Sequence, residues 1–238
     1  MGTGYDVVIL SDLHLGMSES KPKKILKFLE SIKTNILILN GDIIDIDALK
    51  RGGKWKNNHT NVVMKLLEMS KHTEIIYIRG NHDDDVKELY GSHVMGITFA
   101  DEYILHRNGK KYLIFHGDKI DVTTNWKFLT YIGSVGYDIS LKINTWYNQY
   151  REWRNKPYYS ISKVIKENFK EAISFINNFE ENACDYAMKK NCDGVICGHI
   201  HVPTLKTINN ISYYNSGDWV ENFSALVLHK NGTWEIIH

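Results

Sequence analysis

Five hydrophobic runs in this sequence are each followed within a few positions by aspartate, histidine or asparagine, residue types that bind divalent metals and carry protons. The polar residues at these five junctions are Asp12 and His14, Asp42 and Asp45, Asn81 and His82, His116, and His199 and His201. A single Asp-x-His pair occurs often by chance, whereas metal-binding residue types at the ends of five strands in one chain do not. Open α/β sheets bind ligands beyond the carboxyl ends of their strands, and we therefore expect these side chains to converge on one metal site.

The first half of the chain shows the pattern of a sheet with a strong parallel component. Predicted strands at Tyr5–Leu10, Ile36–Leu39 and Ile75–Ile78 alternate with predicted helices from about Lys21 to Ile32 and from about Thr60 to Met69. This βαβαβ order predicts parallel strands joined by right-handed crossovers.

Hairpin signals in the rest of the chain make the predicted sheets mixed. The further predicted strands are Ile97–Phe99, Glu102–His106, Lys111–Phe115, Gly194–Cys197, Thr204–Ile208, Ile211–Tyr214, Ala225–His229 and Trp234–Ile237. Asn108-Gly109, Asn209-Asn210 and Asn231-Gly232 predict tight turns between antiparallel neighbours. The stretch from Ala48 to Asn58 is predicted to be a loop beside the site. Asp12-x-His14 and His199-x-His201 are each expected in extended chain, so that both members of a pair face one side.

From about 121 to 190 the hydrophobic spacing becomes helical, which predicts a helical hairpin inserted into a single domain spanning 1–238. Between Lys142 and Lys170, seven basic residues are interleaved with tryptophan and tyrosine. Such a surface could rest on an anionic membrane or grip a diphosphate. It could equally be a solvated helix face with aromatic residues in the core, and the sequence leaves both interpretations open.

Composition sets wide limits on function. The chain has 238 residues, of which 43% are hydrophobic, enough for one α/β domain with a core, and its net charge of +1 argues neither for nor against a nucleic-acid partner. Three cysteines form no CxxC pair, which favours a reducing compartment. The sequence shows neither a signal peptide nor an apolar run of roughly 18 residues. We therefore expect a soluble, cytoplasmic protein, with peripheral contact to the inner membrane face left open.

Taken in order, these motifs resemble those of the calcineurin-like metallophosphoesterases. The matching series is Asp12-x-His14, Gly41-Asp42-x-x-Asp45, Gly80-Asn81-His82-Asp83, His116-Gly117 and Gly198-His199-x-His201. The resemblance implies a four-layer α/β/β/α sandwich of two mixed sheets that holds two divalent metal ions. By this likeness the ligands of one ion are Asp12, His14, Asp42 and His201, and those of the other are Asp42, Asn81, His116 and His199. Manganese is the expected metal, with iron, zinc, magnesium and nickel as alternatives.

The resemblance also implies a division of roles in phosphoester hydrolysis. Two cations would clamp the phosphoryl oxygens and lower the pKa of a bridging water, whose hydroxide would attack phosphorus. His82 would protonate the leaving group or stabilise charge there, and Asp45 would orient His82. Taken alone, Asp45 could instead be a loop cap.

Within the family, the chain resembles the UDP-2,3-diacylglucosamine hydrolase group of lipid A synthesis. Three segments carry this likeness: Ser11–Gly16, His116-Gly117-Asp118 before a helical insertion, and Tyr214–Asn222. In that group the insertion forms a lid over the acyl chains. One departure is His82, where well-known members have an arginine in a GNRD motif. Asn81, Arg51, Trp55, Asp121, Lys163 and Lys166 are the expected substrate-binding residues.

Two other functions remain open at this stage. A broad phosphodiesterase or nuclease acting on nucleotides would use the same metal site. A metal-free scaffold of the same fold would be expected to lack several ligands, whereas all seven positions are filled in this chain. Phosphoprotein phosphatases differ, since they carry Arg-Gly where this chain has Ile46-Asp47. We expect a nucleotide-linked sugar or lipid as substrate and neither a specific nucleic acid nor a protein partner.

Overall fold

The computed structural model describes residues 3–120, 151, 154 and 161–238, with the backbone alone at 3, 161–169 and 171. The chain forms two compact units, one made of Met1–Ile120 and Glu181–His238 and the other of Asp121–Glu180. Most of the predicted helical insertion, from 121 to 160, lies outside the described residues, so its role as a lid stays a prediction.

Twelve strands and four α-helices are described. The strands are β1 Thr3–Leu10, β2 Ile32–Asn40, β3 Glu74–Ile78, β4 His93–Val94, β5 Ile97–Ala100, β6 Tyr103–Arg107, β7 Lys110–Ile114, β8 Gly194–Cys197, β9 Thr204–Ile208, β10 Ile211–Asn215, β11 Ala225–Leu228 and β12 Trp234–Ile237. The helices are α1 Pro22–Ser31, α2 Ile46–Lys50, α3 Asn57–Met69 and α4 Ile161–Lys189.

The strands form two mixed sheets, as the sequence predicted. The seven-stranded sheet has the order β12-β11-β1-β2-β3-β5-β4, and the five-stranded sheet has the order β6-β7-β8-β10-β9. In the first, β1, β2, β3 and β5 are parallel. In the second, β7, β8 and β10 are parallel. Each sheet therefore presents a set of carboxyl ends at one edge.

Successive side chains of β1 to β3 point to opposite faces of the seven-stranded sheet. One face packs against the five-stranded sheet and the other against helices. Val7 and Ile9 of β1 pack in one core cluster with Ile114 and Ile196 of the five-stranded sheet. On the opposite face of the seven-stranded sheet, a second cluster joins side chains of β1, β2 and β3 to Ile25 and Leu29 of α1 and to Val62 and Leu66 of α3. Burial on both faces explains why β1 to β3 appear in the sequence as nearly continuous apolar runs.

The five-stranded sheet is covered by the end of α4. Tyr186 of this helix contacts the ring of Phe115 edge-on, with ring centroids 5.2 Å apart. Cys184 of α4 and Cys197 of β8 are both fully buried and pack as small hydrophobic residues. The layers of the sandwich are therefore helix, sheet, sheet and helix.

The sequence prediction was wrong at one point next to the site. The stretch predicted as a loop from Ala48 to Asn58 contains most of α2 and the start of α3. Asp45 caps the N-terminus of helix α2, and its carboxylate accepts a hydrogen bond from the backbone amide of Ala48. Among the described residues, no helix is long and apolar enough to cross a membrane.

Candidate metal centre

The predicted ligands lie where parallel strands of both sheets end. Asp12, Asp42 and Asn81 follow β1, β2 and β3 of the seven-stranded sheet, while His116 and His199 follow β7 and β8 of the five-stranded sheet. Two edges of different sheets therefore contribute to one cluster of side chains.

Asp42 lies at the centre of this cluster. Its Oδ2 atom is 3.3 Å from Nε2 of His116, 3.8 Å from Nε2 of His14 and 4.0 Å from Nε2 of His82. Its other oxygen accepts a hydrogen bond of 2.8 Å from the backbone amide of His82. The carboxylate is buried, and although burial acts to raise its pKa, the neighbouring imidazoles hold that pKa well below its ordinary value.

Asp12 is the second carboxylate around which the histidines of this cluster gather. Its Oδ1 atom is 3.0 Å from Nε2 of His201 and 3.8 Å from Nε2 of His14, and its Oδ2 atom accepts a hydrogen bond from the backbone amide of His199. The His199 ring contacts the ring of His116, with centroids 5.1 Å apart. Burial acts to raise the pKa of Asp12, but the charges of His201 and His116 outweigh it and lower the pKa to about 2.

His116 supplies the test of whether a metal fits. Its Nδ1 atom donates to the backbone carbonyl of Asn40 at 3.0 Å, which leaves a lone pair on Nε2 of the neutral ring. That Nε2 is buried, makes no hydrogen bond and faces a carboxylate oxygen of Asp42 at 3.3 Å. Two acceptors at this distance need a cation between them. When no metal is bound a proton can serve, because Asp42 and Asp12 overcome the effect of burial and raise the pKa of His116 to about 10.

The ligand atoms form overlapping groups of the right chemistry. Asp12, His14 and His201 offer ligand atoms within 4.8 Å of one another, and so do Asp12, Asp42 and His116. The side chain of Asn81, the residue before His82, is exposed. Carboxylates, imidazoles and an amide suit divalent ions such as manganese, and no cysteine of the chain is part of either group. The residues present therefore fit a dinuclear centre.

The backbone at the ligands differs from the extended chain expected from sequence. Five of the predicted ligands have left-handed φ angles, namely Asp12 at 54°, His14 at 45°, Asp42 at 53°, His199 at 63° and His201 at 51°. Hydrogen bonds between the loops impose this conformation: the amide of Asp12 donates to the carbonyl of Gly41, and that of His14 to the carbonyl of Asp42. The members of each pair still reach the same site, but they do so through strained loops.

Asp45 contacts two histidines at once. Its Oδ1 atom lies 3.3 Å from Nδ1 of His82, and its Oδ2 atom lies 3.2 Å from Nδ1 of His14. The hydrogen bond with Asp45 raises the pKa of His82 above its ordinary value, in spite of partial burial. The predicted roles of orienting residue and helix cap therefore coexist in Asp45, since its Oδ1 also accepts from Ala48.

Asp83 is a site residue whose role the sequence did not reveal. It is fully buried and accepts hydrogen bonds from the amides of Ile43 and Gly80 and from the hydroxyl of Tyr77, at 2.9, 2.5 and 2.6 Å. Burial and the charge of Asp42 raise its pKa. The carboxylate thus joins the loop that follows β2 to the loop that follows β3. An aspartate three residues after the turn glycine was the available signal.

The loop that carries His201 is braced from the chain after β10. Asp218 accepts hydrogen bonds from the side chain and amide of Asn222, and the Asn222 side chain also donates to the carbonyl of His201 at 2.9 Å. The amide of Trp219 donates to the carbonyl of Asp12. Through these contacts the segment after β10 supports the loops that carry His201 and Asp12.

The remaining predicted substrate contacts are not brought together by the described residues. Arg51 is exposed at the end of α2. Trp55 is exposed as well, and its indole nitrogen donates to the hydroxyl of Thr60. Asp121 lies outside the described residues, as do the side chains of Lys163 and Lys166, so their roles stay predictions.

Gly41 provides a stability test of this packing. Its φ is +81°, and an added Cβ would overlap Nδ1 of His116 and lie 2.7 Å from the Cβ of that residue. We expect Gly41→Ala to destabilise the fold by about 1–3 kcal/mol and to weaken metal binding, because the His116 ring must move. Thermal unfolding and metal content after dialysis measure the two effects. The matched control is Gly91→Ala, which has a φ of +74° but no atom within 4 Å of the added Cβ. Equal metal loss in both variants would contradict the packing argument.

Several solved structures have a similar fold at low sequence identity. An archaeal phosphodiesterase structure shows 14% identity and a TM-score of 0.45, covering 97% of this chain and 98% of its own. The phosphoesterase YfcE of E. coli shows 15% identity and a TM-score of 0.47, covering 97% of each chain. Vacuolar protein sorting 29 from Cryptosporidium parvum shows 12% identity and a TM-score of 0.47, covering 98% and 96%. TM-scores below 0.5 support no inference about function.

The comparison with curated protein sequences finds no match. The comparison with protein families is more informative, because the calcineurin-like phosphoesterase family matches residues 5–203. This span includes every predicted metal ligand, from Asp12 to His201. The chain belongs to the calcineurin-like phosphoesterase family, whose members are metal-dependent.

Proposed function

We propose that this metal-dependent phosphoesterase uses two manganese ions to hydrolyse a phosphodiester or pyrophosphate bond, with a UDP-2,3-diacylglucosamine-type molecule as substrate. The observation that carries the reaction is the buried Asp42 carboxylate between His116 and His14, with the Asp45–His82 pair beside it. The choice of substrate rests on the three sequence segments that resemble those of the UDP-2,3-diacylglucosamine hydrolase group.

Each side chain has a task in this proposal. Asp12, His14, Asp42 and His201 would hold one ion, and Asp42, Asn81, His116 and His199 would hold the other. The ions would supply charge neutralisation at the phosphoryl oxygens and activation of water. Asn81 contributes a neutral ligand, which leaves the site with more net positive charge for an anionic substrate than a carboxylate would.

His82 is placed to act on the leaving group. Its side chain is 31% exposed, so the ring reaches the open side of the cluster, whereas His14 and His116 are almost completely buried. Asp45 accepts from Nδ1 of His82, which leaves Nε2 as the atom that carries the exchangeable proton. His82 would thus donate a proton to the departing oxygen.

The test is hydrolysis by manganese-loaded protein of UDP-2,3-diacylglucosamine, with bis-p-nitrophenyl phosphate assayed in parallel. Release of UMP with a kcat/KM far above that for the generic diester would support the proposed substrate. Cleavage of the generic diester alone would refute that substrate and favour a broad phosphodiesterase. His82 in place of the arginine of GNRD is the feature that speaks for this second candidate.

A further inference from the structure

One arginine connects the two sheets beside the candidate metal centre. Arg79 directly follows β3 and precedes the Gly80-Asn81-His82 loop. Its Nη1 atom donates to Asp118 at 2.5 Å and its Nε atom donates to Asp101 at 3.1 Å. Asp118 lies two residues beyond His116, in the loop that follows β7. The Arg79–Asp118 pair therefore joins the β3 loop of the seven-stranded sheet to the β7 loop of the five-stranded sheet.

The neighbouring loops are joined across the sheets by different contacts. Asp12, after β1, contacts the loop after β8 through the His199 amide and the His201 ring. Asn40, at the end of β2, exchanges hydrogen bonds with the Phe115–His116 segment after β7. For the loop after β3, the side-chain ion pair that reaches the five-stranded sheet within the described residues is Arg79–Asp118.

Asn81 is the predicted ligand that most needs such a connection. Its side chain is exposed and makes no hydrogen bond within the described part of the chain. The backbone around it is fixed to the seven-stranded sheet alone: the Gly80 amide donates to Asp83, and the His82 amide donates to Asp42. His116, expected to bind the same ion, belongs to the other sheet.

We propose that Arg79 is a positioning residue, which through Asp118 sets the separation of Asn81 and His116 and so completes the second metal site. This inference rests on the proposed dinuclear function, but it concerns the assembly of the metal centre and not the identity of the substrate. Arg79 contacts neither the predicted ligands nor, in this proposal, the substrate. Its guanidinium is the suitable group because Nε pairs with Asp101 and, at 3.5 Å, with Asp84, while Nη1 is left to hold Asp118 at a fixed angle.

Electrostatics and positioning predict opposite results when Arg79 is neutralised. Arg79→Gln removes a positive charge close to a cation site, so a purely electrostatic role would make metal binding tighter. Loss of positioning would make binding of the second ion weaker, by about 10–100-fold as for residues that orient metal ligands. The sign of the change therefore separates the two roles.

The experiment is calorimetric titration of metal-free protein with Mn²⁺, with metal content after dialysis as a second readout. We expect two ions per wild-type chain and, in Arg79→Gln, one ion at wild-type affinity and one bound about 10–100-fold more weakly. Arg79→Lys keeps the positive charge but lacks the separate Nε and Nη1 donors. Its affinity for the second Mn²⁺ should therefore lie between those of Arg79→Gln and the wild type. A double-mutant cycle with Asp118→Asn should show coupling, since both changes remove the same contact.

The matched control is Arg107→Gln. Arg107 pairs with Asp6 of β1 at 2.9 Å and so also connects the sheets, but Asp6 lies in the middle of its strand, away from the carboxyl end that precedes Asp12. This variant should bind two ions with wild-type affinity. Unfolding midpoints of all variants establish that the fold is intact. If Arg79→Gln does not fold, the Mn²⁺ titration is carried out with Arg79→Lys instead.

Three outcomes would overturn the inference. Wild-type or tighter binding of both ions in Arg79→Gln would do so, as would equal weakening in Arg107→Gln, which would indicate a general effect of sheet separation. A wild-type protein that binds one Mn²⁺ would overturn both the inference and the proposed dinuclear function. A wild-type protein that binds two ions and cleaves no phosphoester would refute the proposed reaction alone.

Discussion

Replacement of Asp42 by asparagine is expected to abolish phosphoester hydrolysis, because it removes the carboxylate that both metal ions would share in the proposed function. The Oδ2 atom of Asp42 faces Nε2 of His116 and of His14, and an amide nitrogen at this position would be a donor and could not bind a cation. We expect metal affinity to fall more than the roughly 10–100-fold typical of residues that only orient ligands. We expect kcat/KM to fall by about 10³-fold or more.

The measurement pairs hydrolysis of bis-p-nitrophenyl phosphate with metal content after dialysis. The fold should persist in Asp42→Asn, because its amide oxygen can still accept the hydrogen bond from the backbone of His82. Asp218→Asn is the matched control, since Asp218 is equally buried but its carboxylate accepts from the backbone amides of Val220 and Glu221. That variant should lose stability and keep both ions at saturating Mn²⁺. Two tightly bound ions in Asp42→Asn would rule out the bridging role.

The strands that position the site were predictable because they are buried on both faces. Val8 and Ile38, for example, lie within runs that contain almost no polar residue, and β8, which is buried along its whole length, was located to the residue. The start of β2 was missed, because Lys33 and Asn35 point to solvent and interrupt the apolar pattern. Periodicity records burial, so the exposed end of a strand gives a weaker signal.

The details of the site were not predictable from local sequence. The left-handed φ at Asp12 depends on a hydrogen bond to Gly41, which is distant in the chain. Asp83 and Arg79 find their partners in the same way: Asp83 contacts Ile43, and Arg79 contacts Asp118. These long-range partners can be identified only from the assembled sheets. The Asp, His and Asn ligands could be predicted from sequence because they recur directly after predicted strands.

Replacement of His82 by alanine is expected to separate catalysis from metal binding. His82 is partly exposed, its Nδ1 is held by Asp45, and its Nε2 is 4.0 Å from Asp42, farther than His116 is. We therefore expect His82→Ala to retain both ions and to lose about 10²–10⁴-fold in kcat, the usual contribution of a positioned general acid. Elemental analysis together with steady-state kinetics measures the two effects.

The loss of kcat in His82→Ala should depend on the leaving group of the substrate. A general acid matters most when the departing oxygen is strongly basic, so the loss in His82→Ala should be large for an alkyl phosphodiester and small for a p-nitrophenyl ester. Asp45→Asn should give a smaller loss of the same kind if Asp45 acts by orienting the His82 ring. His93→Ala is the control, because His93 is exposed and contacts Thr98. An equal loss for both classes of ester would mean that His82 stabilises charge without transferring a proton. Loss of metal from His82→Ala would instead assign this histidine to the metal centre itself.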